Sequence, residues 1–154
     1  MQLQVKPWVS MPATKSTILF YSHPSYPLFG IIHNAYFNRS FAFYDVFEMI
    51  KILESLFNTL VFPQTSVQYR HFHTNNCSAI KYEKEETTMS SNAEATFVLH
   101  VKFRQNATWQ GTIEWVDEKK SQNFRSSLEM IKLIDEALEM KSAQEQVSWE
   151  SADA

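Results

Sequence analysis

Two glycines in 154 residues set the strongest constraint on this chain, because they stand at matching places. A shift of 81 positions carries Gly30 onto Gly111, Ile32 onto Ile113, Ser40 onto Ser121 and Phe43 onto Phe124. The same shift carries the run Glu48, Met49, Ile50, Lys51 onto Glu129, Met130, Ile131, Lys132, with no gap between 28–57 and 109–138. The correspondence predicts an internal duplication, and a chain built from two copies of one unit must bury the same face twice. A glycine inside a strand weakens it unless something needs the space of the missing side chain. Close packing by a helix or a large aromatic is therefore expected at both positions, with a β-bulge as the alternative.

The unit itself reads as β-β-β-α. In the second copy Phe97, Leu99, Val101 and Phe103 alternate with Val98, His100, Lys102 and Arg104, and Trp109, Gly111, Ile113 and Trp115 alternate with Gln110, Thr112, Glu114 and Val116. A hairpin pairing Phe103 with Trp109 sets Val101 opposite Gly111, Leu99 opposite Ile113 and Phe97 opposite Trp115, so the large apolar residues share a side. Subtracting the offset sets Phe20 opposite Gly30 and Ile18 opposite Ile32. In the first copy 17–22, 28–37 and 40–43 read as strands. Asp45 with Glu48, and Ser126 with Glu129, form capping boxes that open two helices. Beyond them Val46, Met49, Ile50, Leu53, Leu56 and Phe57, and Met130, Ile131, Ile134, Ala137 and Leu138, recur at helical spacing.

The expected fold is α+β: an internally duplicated β-β-β-α unit forming one antiparallel sheet, with both helices packed on one face and an approximate two-fold axis between copies. The other face carries His33, Lys102, Arg104, Gln110 and Glu114, and is expected to be wet or used for contact. One domain spans 1–154. An irregular arm, within which Met11 could serve as the start, precedes repeat 1 at about 16–57. A flexible connection follows over about 58–95, with candidate strands at 66–73 and near Ile80. Repeat 2 covers about 97–138, and a polar tail at 140–154 is expected to fray.

Composition narrows the function class. A 44% hydrophobic chain of this length has the material for a core, and a formal charge of -3 disfavours delocalised binding to nucleic acid or an anionic membrane. Cys77 is the sole cysteine, which fits a reducing compartment. Residues 1–16 lack the apolar core of a signal peptide, and no stretch approaches the roughly 18 consecutive apolar residues of a membrane helix. A cytoplasmic protein, monomeric or a small homo-oligomer, is expected.

The most distinctive segment is FRQNATWQG at 103–111. It gathers Arg104, Gln105, Asn106, Trp109 and Gln110 around a hairpin tip, a set able to read a carboxylate, a peptide backbone or a base edge, with Trp free to stack. Ordinary turn chemistry beside a core Trp reads the same letters. The matching tip of the first copy, His23, Pro24, Ser25, Tyr26, Pro27, has diverged, so a function here belongs to one copy. His71, His73 and Cys77, with His23, His33 or His100 as a fourth ligand, sketch a metal site but lack the paired spacing of zinc motifs. Neither glycine sits in a nucleophile elbow or a phosphate-cradling loop. The pattern predicts no cofactor, no metal and no catalytic residue. What remains is a small non-enzymatic binding or regulatory protein acting by protein–protein contact, such as an inhibitor carried by a mobile element. One alternative is a single-stranded nucleic-acid-binding module using Arg104, Asn106 and Trp109 with Lys102, Arg70 and His71. The other is a metal-dependent enzyme built on His71, His73 and Cys77.

FRQNATWQGTIEW followed by NFRSSLEMIKLIDEAL resembles a family of short uncharacterised bacterial proteins associated with Gram-positive anaerobes. The resemblance covers 97–138 and implies common descent there. It transfers no catalytic residue.

Overall fold

The computed structural model describes residues 14–65, 70, 72 and 92–150, without the side chains of 149 and 150. The elements run β1 (Lys15–Tyr21), β2 (Phe29–Asn34), β3 (Arg39–Phe43), α1 (Val46–Leu60), β4 (Ala95–Phe103), β5 (Gln110–Trp115), β6 (Lys120–Phe124) and α2 (Ser127–Glu150). The six strands form one antiparallel sheet in the order β3-β2-β1-β4-β5-β6. Two three-stranded meanders thus meet along β1 and β4, where Ile18 faces Phe97. The expected strands at 66–73 and near Ile80 lie outside the described residues, apart from Arg70 and Phe72.

Alternation along the strands explains why the helices dock where they do. Ile18, Phe20, Ile32, Phe43, Phe97, Leu99, Val101, Ile113, Trp115 and Phe124 share one face, and they form a single buried cluster with Met49, Ile52, Leu53, Leu56 and Phe57 of α1 and Met130, Ile134 and Ala137 of α2. Ile52, which the spacing argument passed over, belongs to this face, and Val46 and Ile50 lie at its edge. Phe20 ties the two meanders together. Its ring meets Phe43 and Phe97 edge to face at 5.6 Å each, and Phe97 stacks on Trp115 at 6.2 Å. Such pairs add about 0.5–1.5 kcal/mol beyond their buried area.

The glycines turn out to be crowded for two different reasons. A Cβ on Gly30 would strike the Phe43 ring, its neighbour across the β2–β3 pair, and would lie 2.5 Å from the Leu19 carbonyl oxygen. That is the large aromatic expected. A Cβ on Gly111 would instead meet the backbone of β4, striking the His100 carbonyl and approaching Val101 Cα to 2.9 Å. Neither glycine has a positive φ, so space and not backbone conformation excludes a side chain.

Beside Gly111 the register departs from simple alternation. Phe97, Leu99 and Val101 pair with Trp115, Ile113 and Gly111 as expected, but a shift between Val101 and Phe103 sets Phe103 against Gln110 instead of Trp109. A one-residue slip exchanges the two faces. Phe103 is consequently exposed, and Arg104, placed by alternation on the wet face, is 3% exposed and turned into the body. This corrects the expected composition of that face.

Both helices start at the predicted caps, although the returning glutamate bond of a capping box goes to Tyr44 in the first and the second glutamate pairs with Arg125 instead. Asp45 Oδ1 accepts from the Glu48 backbone N–H at 2.8 Å, and Glu48 Oε2 accepts in return from the Tyr44 N–H at 2.8 Å. Ser126 Oγ accepts from the Glu129 N–H at 3.0 Å, while the Glu129 carboxylate pairs with Arg125 at 3.2 Å. Replacing Asp45 by alanine removes an acceptor from an orphan amide and should cost about 1 kcal/mol in urea denaturation, whereas Asp45→Ser should cost a few tenths. Equal losses for the two variants would show that the cap is not the source. At its far end α2 runs on to Glu150, where a frayed tail was expected. The stretch after Met140 holds no Gly or Pro and includes the helix formers Lys141, Ala143, Gln144, Glu145, Gln146 and Glu150, so nothing in it stops a helix.

Candidate functional site

The tip joining β4 to β5 splits into an interior and an exterior set. Arg104 Nε donates to the Pro63 carbonyl at 2.6 Å, its guanidinium Nη1 donates to Asn58 Oδ1 at 2.7 Å, and its charged carbon lies 5.7 Å from the centre of the Phe57 ring. Trp109 is buried and meets the same Phe57 ring edge to face at 5.3 Å. Both side chains therefore hold the end of α1 against the hairpin. Gln105 and Asn106 are exposed, and Asn106 and Ala107 take the left-handed backbone of the turn, with φ of 56° and 58°. Gln110 folds back on the loop: its Nε2 donates to the Gln105 carbonyl at 3.0 Å and its Oε1 accepts from the Gln105 N–H at 3.4 Å. Thr108 Oγ1 accepts from the Ser127 N–H at 2.9 Å and so pins the tip to the start of α2. Of the five candidate residues, Gln105 and Asn106 alone offer free surface at the tip.

A second constellation forms at the corresponding end of the first meander. Phe29, Tyr44, Tyr26 and His23 make a closed circuit of rings, with centroids 5.3 Å apart for Phe29–Tyr44, 4.8 Å for Tyr44–Tyr26, 4.8 Å for Tyr26–His23 and 5.3 Å for His23–Phe29. Tyr21 joins through Phe29 at 6.1 Å. Strand pairing explains the convergence, since Tyr21 and Phe29 are register partners and Tyr44 follows the β3 strand that pairs with β2. His23 Nδ1 accepts from the Ser25 N–H at 3.1 Å, which leaves the ring proton on Nε2. Partial burial raises the Tyr21 phenol above its usual pKa. Tyr26 and Tyr44 nonetheless keep 43% and 37% of their surface exposed. Asp45, the N-cap of α1, follows Tyr44 directly, and Glu48 stands in the first turn of the helix.

These rings have no counterpart 81 positions later, where Lys102, Arg104, Ala107, Gln110 and Arg125 stand in their places. The sheet face opposite the helices is mixed in both meanders. Its first-meander side carries Leu19, Tyr21, Phe29, Ile31 and Ala42 together with Thr17, His33 and Ser40, and its second-meander side carries Thr96, Val98, His100, Thr112 and Glu114. His33 shares a hydrogen bond with Ser40 Oγ at 3.0 Å. His100 is held below the usual imidazole pKa, first by burial and then by Lys102 and Lys15.

His71, His73 and Cys77 lie outside the described residues. Among the described residues no group of three His, Cys, Asp or Glu side chains is placed to hold a metal ion, and no helix is long and apolar enough to cross a membrane. Spacing arguments could not close the circuit because Tyr44 lies 15 residues beyond Phe29, the last of the three rings clustered at 23–29. The available signal was the density of aromatics between Tyr21 and Tyr44 combined with the pairing of β2 with both neighbours. No protein family, no curated protein and no solved structure matches this chain.

Proposed function

We propose that this chain is a non-enzymatic binding protein that contacts another protein through the aromatic circuit of His23, Tyr26, Phe29 and Tyr44. The carrying observation is that four rings pack on one another at 4.8–5.3 Å while two of them stay over one-third exposed. Pre-packed tyrosines offer large contact area at little further entropy cost, which is why Tyr is enriched at binding hot spots. Asp45 and Glu48 beside Tyr44 favour a partner that brings an arginine or lysine, whose cation is attracted both to the carboxylates and to the ring faces. They disfavour a nucleic-acid strand, whose phosphates would meet those carboxylates and a net charge of -3.

We further infer that the two β-β-β-α halves arose by duplication and are related by an approximate two-fold axis. This is supported by the offset of 81 that relates β2 to β5, β3 to β6 and the start of α1 to that of α2, and by the register pairs Phe20–Gly30 and Val101–Gly111. Aromatics at the first tip and cations at the second then reflect divergence after duplication, with the contact surface kept in one half.

The test begins with a partner recovered by proximity cross-linking and then purified. Tyr26→Ala combined with Tyr44→Ala should weaken its affinity by about 30-fold or more, the loss of a hot spot, with little change in melting temperature. Gln105→Ala with Asn106→Ala should leave affinity within about threefold, as rim substitutions do. Affinity that survives loss of both tyrosines would reject the surface. Binding of a single-stranded oligonucleotide at low salt, abolished by the same pair, would replace the protein partner with the nucleic-acid reading.

A further inference from the structure

β6 is the outermost strand of the second meander, and among the described residues no strand pairs with its free edge. Such an edge presents unmet N–H and C=O groups and is a template for another strand unless proline, a bulge or charge blocks it. β6 has no proline, its register with β5 is unbroken, residues 120–123 are exposed, and its one charge, Lys120, stands at its end. α2 lies over β5 and β6. Between the flank of that helix and the strand is a cavity of about 360 Å³, walled in part by residues 120–122 of β6 and by Leu133, Glu136, Ala137 and Met140 of α2. Met140 keeps 41% of its surface exposed. Leu133 and Met140 stand seven residues, or two turns, apart on one flank of the helix, and the exposed Lys132 and Glu139 repeat that spacing one residue earlier.

The opposite edge of the sheet lacks this combination. At the positions of Gln122 and Ala137 the first half has Phe41 and Leu56, which pack on the core. Thr59 takes the place of Met140, and Asn58, in the place of Glu139, is held by Arg104.

We infer that the β6 edge and the adjoining flank of α2 form the interface of a homodimer, in which β6 pairs antiparallel with β6 of a second copy and the sheet continues across a two-fold axis. Because the cavity sets 120–122 beside 133–140, one axis serves both elements. Placed at Ser121, it sets Lys120 opposite Gln122 of the second copy and keeps each side chain on its own face of the sheet. The two α2 helices then lie about two strand spacings apart, roughly 10 Å, the distance at which helices pack. About the same axis Leu133 of one copy meets Met140 of the other, and Lys132 meets Glu139, each pairing being made twice. The apolar contacts close both cavities, and the ion pairs make the flanks complementary in charge. Glu136 meets its own copy across the axis, a repulsion that limits affinity. The interface lies at the opposite edge of the sheet from the aromatic circuit and does not rest on the contact proposed there.

Sedimentation equilibrium of the full chain, with Cys77 kept reduced, should show monomer and dimer in exchange at concentrations up to about 1 mM. Met140→Glu, at a side chain already partly exposed, should weaken dimerisation about tenfold or more, as loss of a central contact does. Lys132→Glu and Glu139→Lys each set like charges across the axis and should each weaken it about threefold, while the double reversal should return it to within about twofold of the parent. Glu136→Gln should tighten it about twofold. In hydrogen exchange, the β6 amides that point away from β5 should be protected in the concentrated parent and lose that protection in Met140→Glu. A chain that stays monomeric at about 1 mM would overturn the interface. So would a dimer that survives Met140→Glu, or a double charge reversal no tighter than the single ones. Dimerisation abolished instead by Tyr26→Ala with Tyr44→Ala would move the contact to the aromatic circuit and reject β6.

Discussion

Gly111→Ala is expected to destabilise the protein by about 3 kcal/mol or more, at the upper end of what overpacking costs and a large part of a typical domain's stability. The added methyl would collide with the His100 carbonyl and lie 2.9 Å from Val101 Cα, and both belong to the backbone of β4. No rotamer change relieves such a contact. Either β5 moves away from β4, breaking ladder hydrogen bonds near the middle of the sheet, or β4 bends. Gly30→Ala meets a softer obstacle in part, because the Phe43 ring can shift even though the Leu19 carbonyl cannot. A smaller loss of about 1–3 kcal/mol is expected there. Adding Phe43→Leu to Gly30→Ala should then cost less than the sum of the two single changes, since the clash disappears with the ring. Urea unfolding followed by circular dichroism decides the matter. Gly111→Ala within about 0.5 kcal/mol of the parent would mean that β4 and β5 are not as close as described.

Those two glycines show both how far the sequence could be read and where reading failed. Their scarcity and matching positions were enough to anticipate crowding, and alternation in 97–103 and 109–115 gave three correct register pairs. Alternation then misplaced Arg104: Gly111 admitted a β-bulge as the alternative to close packing, but letters that continue apolar, polar, apolar, polar through 103–104 give no sign that the register shifts there. What turns the chain there is a contact with Asn58 and Pro63, 46 and 41 residues away, which local pattern cannot encode. The candidate site was legible to the same limited degree. Arg, Asn, Gln and Trp crowded at a tip are chemically versatile, yet whether an arginine faces a partner or its own helix depends on the face the register assigns to it. The aromatic circuit lies at the other extreme, since no motif joins Tyr21, His23, Tyr26, Phe29 and Tyr44 and only strand pairing brings them together.

Arg104 provides the second large expected effect. Arg104→Met keeps most of the side chain's length but removes both donors, leaving the Pro63 carbonyl and Asn58 Oδ1 without the guanidinium they now bind. Hydrogen bonds from a charged group are worth about 1.5–3 kcal/mol each, and a buried carbonyl left unmet adds its own penalty, so a loss of about 3 kcal/mol is expected. Arg104→Lys should recover little of it. A single ammonium cannot reproduce the fork whose Nε and Nη1 reach two acceptors at 2.6 and 2.7 Å, nor lie as flat against the Phe57 ring. Asn58→Ala should cost less than Arg104→Met and should be nearly silent once Arg104 is gone, which makes the pair a double-mutant cycle with a predicted sign. These losses should appear in denaturant midpoints measured on the isolated protein. Were Arg104 instead a recognition residue, Arg104→Met would leave the midpoint unchanged and reduce affinity for a partner, and the assignment of this side chain to the joint between α1 and the β4–β5 hairpin would be wrong.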